Sequence, residues 1–192
     1  MNRRLLVGAL TVALAISLVA PVELAARQGF PRGITAREFL RDVAPELLSK
    51  FPVKALRLEV KFGLAAMTGT PSQTTDEPTI EGLDDIYVYC SQSFSANGKS
   101  VYYGASNTVN WPPFMRMPFM QVSAVLLEDG STIDSTTKYG YNVWRVTTND
   151  RRTVDGGAYY QMMSIHYVDY PAGYTPDAEL TVLYSGVMWI DG

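Results

Sequence analysis

The spacing of apolar and polar positions divides the chain into an apolar leader, one segment with a helical period and a long series of segments with a strand period. Leu5 to Ala20 is almost unbroken apolar sequence behind Arg3 and Arg4, and Pro21 ends it. Between Thr35 and Phe51, the residues Phe39, Leu40, Val43, Leu47, Leu48 and Phe51 recur at near-helical spacing, which predicts an amphipathic helix. Thr35 and Glu38 have the capping-box spacing at its start, and Pro45 inside the pattern predicts a kink or two short helices meeting there. From Pro52 the period changes to two. Leu56, Leu58, Val60, Phe62 and Leu64 alternate with Arg57, Glu59 and Lys61, the pattern of a half-buried strand.

Residues 66 to 84 are rich in Thr, Gly, Pro and acid and are expected to be loop. Strands are then predicted over Ile86–Phe94 and Ser100–Ser106, joined across Asn97-Gly98, a strong hairpin signal. Three prolines between residues 107 and 120 exclude a central strand there. Gln121–Glu128, a turn at Asp129-Gly130, Ser131–Lys138 and Tyr141–Thr148 follow as strands, with the polar residues Asn149 to Arg152 turning the chain. Asp155-Gly156-Gly157 is turn chemistry before the longest clear strand, which runs to Tyr170. Neither face of that strand is plainly polar, so a central strand covered on at least one side is expected. Residues 171 to 176 form a loop, and Glu179–Ile190 is the last predicted strand. About eight strands without helical interruption predict an all-β antiparallel sandwich, preceded by a short helical segment.

The spacing Asp155-x-Gly157-x-Tyr159 resembles the tyrosine-corner opening of strand F in immunoglobulin-like domains. The resemblance covers about five residues, and Gln161 stands where the family places its disulfide cysteine. It implies an immunoglobulin-like sandwich in which residues 121–128 form strand C and residues 158–169 strand F. Loops 107–118 and 171–177 then emerge at one end. The expected organisation is a signal peptide over residues 1–26, a basic amphipathic helical segment over 27–54 and a β-sandwich domain over 55–192.

Composition and charge place this chain. The leader has the positive, apolar and small-residue regions of a secretory signal, cleaved after Ala20 or Ala26; an uncleaved anchor is the competing reading. A secreted or extracytoplasmic location follows. Cys90 is the only cysteine, so no intrachain disulfide can form, and a buried thiol is the preferred reading. Residues 27–61 hold eight basic and four acidic side chains, whereas residues 62–192 hold six and fourteen. A basic segment can dock on an acidic body, and an exported acidic body argues against nucleic acid as a partner.

Candidate chemistry is sparse. Asp76, Glu77, Glu81, Asp84 and Asp85 are dense but lack metal-loop spacing, so a solvated acidic loop is expected. His166 is the sole histidine, and any Ser or Cys triad would depend on it. No nucleophile elbow, phosphate loop or dinucleotide fingerprint occurs, and no cofactor or metal is expected. Aromatic loops carry the remaining signal. Trp111, Phe114, Met115, Tyr170 and Tyr174 would gather at one tip of the sandwich, a composition suited to recognition. The expectation is a non-catalytic binding or adhesion module for an extracellular or cell-envelope protein or glycan. A hydrolase centred on His166 and membrane-surface association through helix 35–51 are the alternatives.

Overall fold

A computed structural model describes residues 33–71 and 84–192. The leader at 1–26 and the acidic residues Asp76, Glu77 and Glu81 lie outside the described residues. The helical elements come first: α1 (Ala36–Val43), a 3-10 turn (Pro45–Leu47) and α2 (Val53–Leu56). Strands follow as β1 (Lys61–Phe62), β2 (Ala66–Pro71), β3 (Ile86–Asn97), β4 (Ser100–Trp111), β5 (Met117–Glu128) and β6 (Ser131–Val143). The series ends with β7 (Arg145–Thr153), β8 (Ala158–Asp169), β9 (Tyr174–Thr175), β10 (Ala178–Tyr184) and β11 (Met188–Ile190).

The strands form two sheets. One has the order β1-β10-β8-β5-β6, with β11 also paired to β8, and the other has the order β7-β4-β3-β2-β9. All pairings are antiparallel except β1 with β10. The sheets pack face to face over a core that includes Val88, Val101, Tyr103, Met120, Val122, Leu126, Tyr160 and Met162. The helical segment covers the outer face of the first sheet. There Phe39, Leu40, Leu47 and Phe51 pack with Val125, Leu127, Met163 and Ile165. Strand β8 is therefore buried on both faces, which is why both of its faces are apolar.

Local chemistry accounts for most element ends. Thr35 caps α1, accepting from the Glu38 backbone N–H at 3.3 Å while the Glu38 carboxylate accepts from the Thr35 N–H at 3.0 Å. The helix ends at Val43, and the chain restarts as a 3-10 turn at Pro45, so the proline separates two helical pieces. In the β5–β6 hairpin, Asp129 and Gly130 both have positive φ (47° and 84°), the I′ arrangement that matches strand twist. In the β3–β4 hairpin the two-residue loop is Gly98-Lys99, because Asn97 already pairs with Ser100. Gly98, at φ 55°, takes the first central position, so the turn lies one residue later than the Asn-Gly pair implies.

Several predicted elements differ. The alternation over 55–64 does not make one strand. Pro52 caps the short helix α2, Glu59 makes an isolated bridge to Thr35, and only Lys61–Phe62 joins a sheet. The predicted loop after residue 66 begins with β2, which lies between β3 and β9; in it Met67 is buried and Gly69 lies under the Tyr170 ring. Residues 149–152 do not turn the chain but lie in edge strand β7, where polarity reflects exposure. The turn sits instead at Trp144, between Asn142 (φ 53°) and β7, where the chain passes from one sheet to the other. The last strand is split, since Ser185–Val187 bulge away while β10 and β11 both pair with β8. In that bulge the Ser185 N–H donates to Met162 O and the Met162 N–H to Ser185 Oγ.

Tyr159, the tyrosine expected to form a corner, does not face the core. Tyr159 is exposed, whereas Tyr160 points into the inter-sheet core and donates its hydroxyl proton to Glu128. The Gly156 backbone amide, four residues earlier, also acts on the Tyr160 oxygen.

Candidate functional site

Strands β5 and β8 run antiparallel with Phe119 opposite Asp169, so the loop before β5 and the loop after β8 leave the same end of the molecule. The β6–β7 connection emerges there too, because Val143 pairs with Met117 and Arg145 with Thr108. Within the first loop, the Met115 N–H donates to Pro112 O at 3.2 Å and closes a tight turn. Phe114 sits in that turn at φ 63° and is 73% exposed. A bulky residue in the left-handed region is strained, and this one buries little in return.

The Phe114 ring meets Trp144 edge to face, with centroids 5.7 Å apart. Trp144 is itself partly exposed, and its carbonyl accepts from the Val109 N–H at 2.9 Å, which ties it to the end of β4. Trp111 ends β4 opposite Tyr87 and is 49% exposed. Arg116 closes the turn by donating to Asn142 O at 3.0 Å. Two tryptophans and a phenylalanine thus present uncovered ring surface at one end of the sandwich.

The other three candidates from the sequence take different places. Met115 is half-buried against the inter-sheet core. Tyr170 and Tyr174 turn inward and are buried. Tyr170 donates to Glu179 Oε2 at 3.2 Å, and its phenol is held well above the usual range by burial and then by the Glu179 charge. Tyr174 donates to the Asp84 carbonyl at 3.3 Å, and burial raises its phenol as well. Glu179 is a buried hub that also pairs with Lys61 and accepts from the Thr68 N–H at 3.1 Å, clamping β10 to β2 where the two sheets meet. Trp144 joins the exposed group without having been singled out. The signal available was Val143-Trp144, two apolar neighbours that cannot share one face of a strand.

His166 lies between the sheets with no exposed surface. Asn107 donates through Nδ2 to Gln121 O at 3.1 Å and to Tyr167 O at 3.2 Å, which leaves its Oδ1 to accept. His166 Nδ1–H is therefore the donor to Asn107 Oδ1, at 2.6 Å. Nε2 lies 2.9 Å from Ser164 Oγ, and that hydroxyl's single proton is also within 3.0 Å of Gln92 Oε1. The order Ser–His–Asn has the connectivity of a hydrolytic triad. All three side chains are fully buried, so a substrate carbonyl has no approach to Ser164. Burial alone pushes His166 down to about 3, which keeps it neutral and structural. Cys90 is likewise buried, and burial pushes its thiol up, away from the reactive thiolate. Among the described residues no group of His, Cys, Asp or Glu could hold a metal ion, and no helix is long and apolar enough to cross a membrane.

Comparison with protein-family models, with characterised proteins and with solved structures found no match.

Proposed function

We propose that this chain is an exported, non-catalytic binding or adhesion module, with an immunoglobulin-like sandwich presenting its contact surface at the Trp111–Phe114–Trp144 end. The strand order supports the finer fold assignment. With β3 as strand A, β4 as B, β5 as C, β6 as C′, β7 as E, β8 as F and β10 as G, the sheets read β9-β2-A-B-E and β1-G-F-C-C′, with β11 also on F. The A-B-E and C′-C-F-G runs within them support an immunoglobulin-like arrangement without strand D, to which β1, β2, β9 and β11 are additions. Tyr160, four residues after Gly156, fills the corner role at the start of F, and Met162 takes the place of the disulfide cysteine.

One observation carries the functional reading. Phe114 is held in a strained conformation that lifts its ring into solvent against Trp144, with Trp111 on the strand leading into the same turn. Folding gains little from that arrangement, whereas a partner covering these rings would gain anchor contacts with few rotatable bonds. The signal-like leader supports a partner outside the cytoplasm. The test is to screen the chain lacking residues 1–26 against immobilised cell-wall glycans and envelope proteins, beside the Trp111→Ala/Phe114→Ala variant. Capture that falls at least about tenfold in the variant, with its thermal transition preserved, is expected. Capture of the same partner by both proteins with equal affinity would overturn the assignment of this surface.

A further inference from the structure

On the outer face of the first sheet, behind the loop tip, a groove of about 490 Å³ opens between the helical segment and β5 and β6. Its size is that of a small-ligand site. The floor is Phe119, and one wall is built from Tyr139 and Tyr141. Tyr139 and Tyr141 are 62% and 70% exposed, unusual for two large rings on one strand. Phe119 holds them in place, with ring centroids 5.9 Å from Tyr139 and 4.9 Å from Tyr141. The opposite side is the chain around Lys50, and among the described residues no carboxylate lines the groove.

The polar chemistry is more telling than the rings. Gln121 lines this groove and is almost wholly buried. Its Nε2 donates to the Lys50 carbonyl at 3.1 Å, which fixes the amide orientation, since a carbonyl can only accept. Oε1 is left buried with no hydrogen-bond partner. A buried acceptor without a donor is costly to a fold and requires an explanation. Thr137 also lines the groove, with its hydroxyl paired to Ser123 Oγ at 2.8 Å.

We propose that this groove is a saccharide site that holds a pyranoside ring of a glycan. The C–H face of the sugar lies on the Tyr139 and Tyr141 rings, and one hydroxyl donates to Gln121 Oε1. Gln121 Oε1 has no exposed surface in the free protein, so the hydroxyl reaches it as the side chains lining the groove shift on binding. A proline-rich peptide would suit the aromatic wall but brings few donors for Oε1. Lys50 and the absence of carboxylates favour uronic sugars over cationic amino sugars. The site is independent of the loop tip and goes beyond the surface assigned there.

Calorimetric titration of the chain from residue 27 with cellohexaose, maltohexaose, tetragalacturonate and chitosan tetramer tests it. Saturable binding of at least one of the first three is expected, with chitosan tetramer the weakest probe. Tyr139→Ala/Tyr141→Ala is expected to weaken that binding at least about tenfold with the fold intact, since both rings are exposed. Gln121→Leu is expected to weaken it too, while Trp111→Ala/Phe114→Ala leaves it unchanged. Failure of all four probes at millimolar concentration would overturn the site. So would binding that survives the tyrosine substitutions, or binding abolished by the loop-tip variant, which would move the saccharide to that surface.

Discussion

His166 is the residue on which a catalytic reading of the chain would turn, and its burial gives it a measurable role of another kind. In the unfolded chain its imidazole takes up a proton near 6.5, whereas in the fold burial delays this to about 3. Between those values the unfolded state binds more protons, so acid pulls the equilibrium toward unfolding. The stability linked to His166 is fully present above pH 6.5 and is lost as the pH falls toward 3. The slope is at most about 1.4 kcal/mol per pH unit for one group. Urea unfolding at several pH values should show this slope in the wild-type chain and a shallower one in His166→Gln, which cannot titrate. Equal slopes would remove the role. The solitary histidine could be read from sequence, but its partner could not, because Asn107 lies on another strand of the opposite sheet. Gly156 shows the same limit. Its turn chemistry was legible, but at φ 80° an added Cβ would lie 2.0 Å from Asp191 O, and nothing local in the sequence joins those two positions.

The helical segment shows how far periodicity reaches at the scale of elements. Its capping box and apolar stripe were legible because both are local, and the stripe is buried on the sheet as amphipathicity requires. With Phe39, Leu40 and Leu47 fully buried against β5 and β8, this face is already occupied by protein, which weakens membrane association as an alternative. Leu47→Ala should therefore destabilise the whole fold by about 2–4 kcal/mol, the range for opening a cavity at a fully packed leucine. Chemical denaturation should show that loss in one cooperative transition. A separate, earlier transition would mean that the segment folds on its own. The alternation over 55–64 misled because a period of two describes burial, not hydrogen bonding. Leu56 and Val60 are buried as the pattern requires, yet Pro52 starts a helical turn and Gly63, at φ 77°, ends the two residues that join a sheet. Edge strands misled in the opposite sense. β7 carries Asn149 to Arg152 on an exposed edge and reads as a turn, although its backbone pairs along β4 from Arg145 to Thr153.

At the scale of the whole molecule, two sheets and a helical layer decide which aromatic residues remain outside. The common origin of loops 112–116 and 170–177 followed from strand order and could be inferred from sequence. The direction of each ring could not. Tyr170 and Tyr174 were drawn inward by Glu179 and the Asp84 carbonyl, partners 9 and 90 positions away that a local pattern does not register, whereas Trp111, Phe114 and Trp144 stayed out. The exposed group makes a prediction that separates a structural role from a binding role. If the Phe114 ring served folding, replacing it would weaken the fold. If the ring is kept for a partner, its conformation is a burden that the free protein carries. Phe114→Gly removes a bulky side chain from φ 63° and forfeits only an edge contact with Trp144. Left-handed geometry costs a non-glycine residue roughly 1–2 kcal/mol, and the added freedom of glycine in the unfolded chain returns part of that. The variant is expected to be as stable as the wild type or more stable by up to about 1 kcal/mol, and to capture less of the partner proposed for this end. Thermal or urea unfolding measured beside capture checks both halves. A clear loss of stability in Phe114→Gly would make the ring a structural lid and remove it from the contact surface.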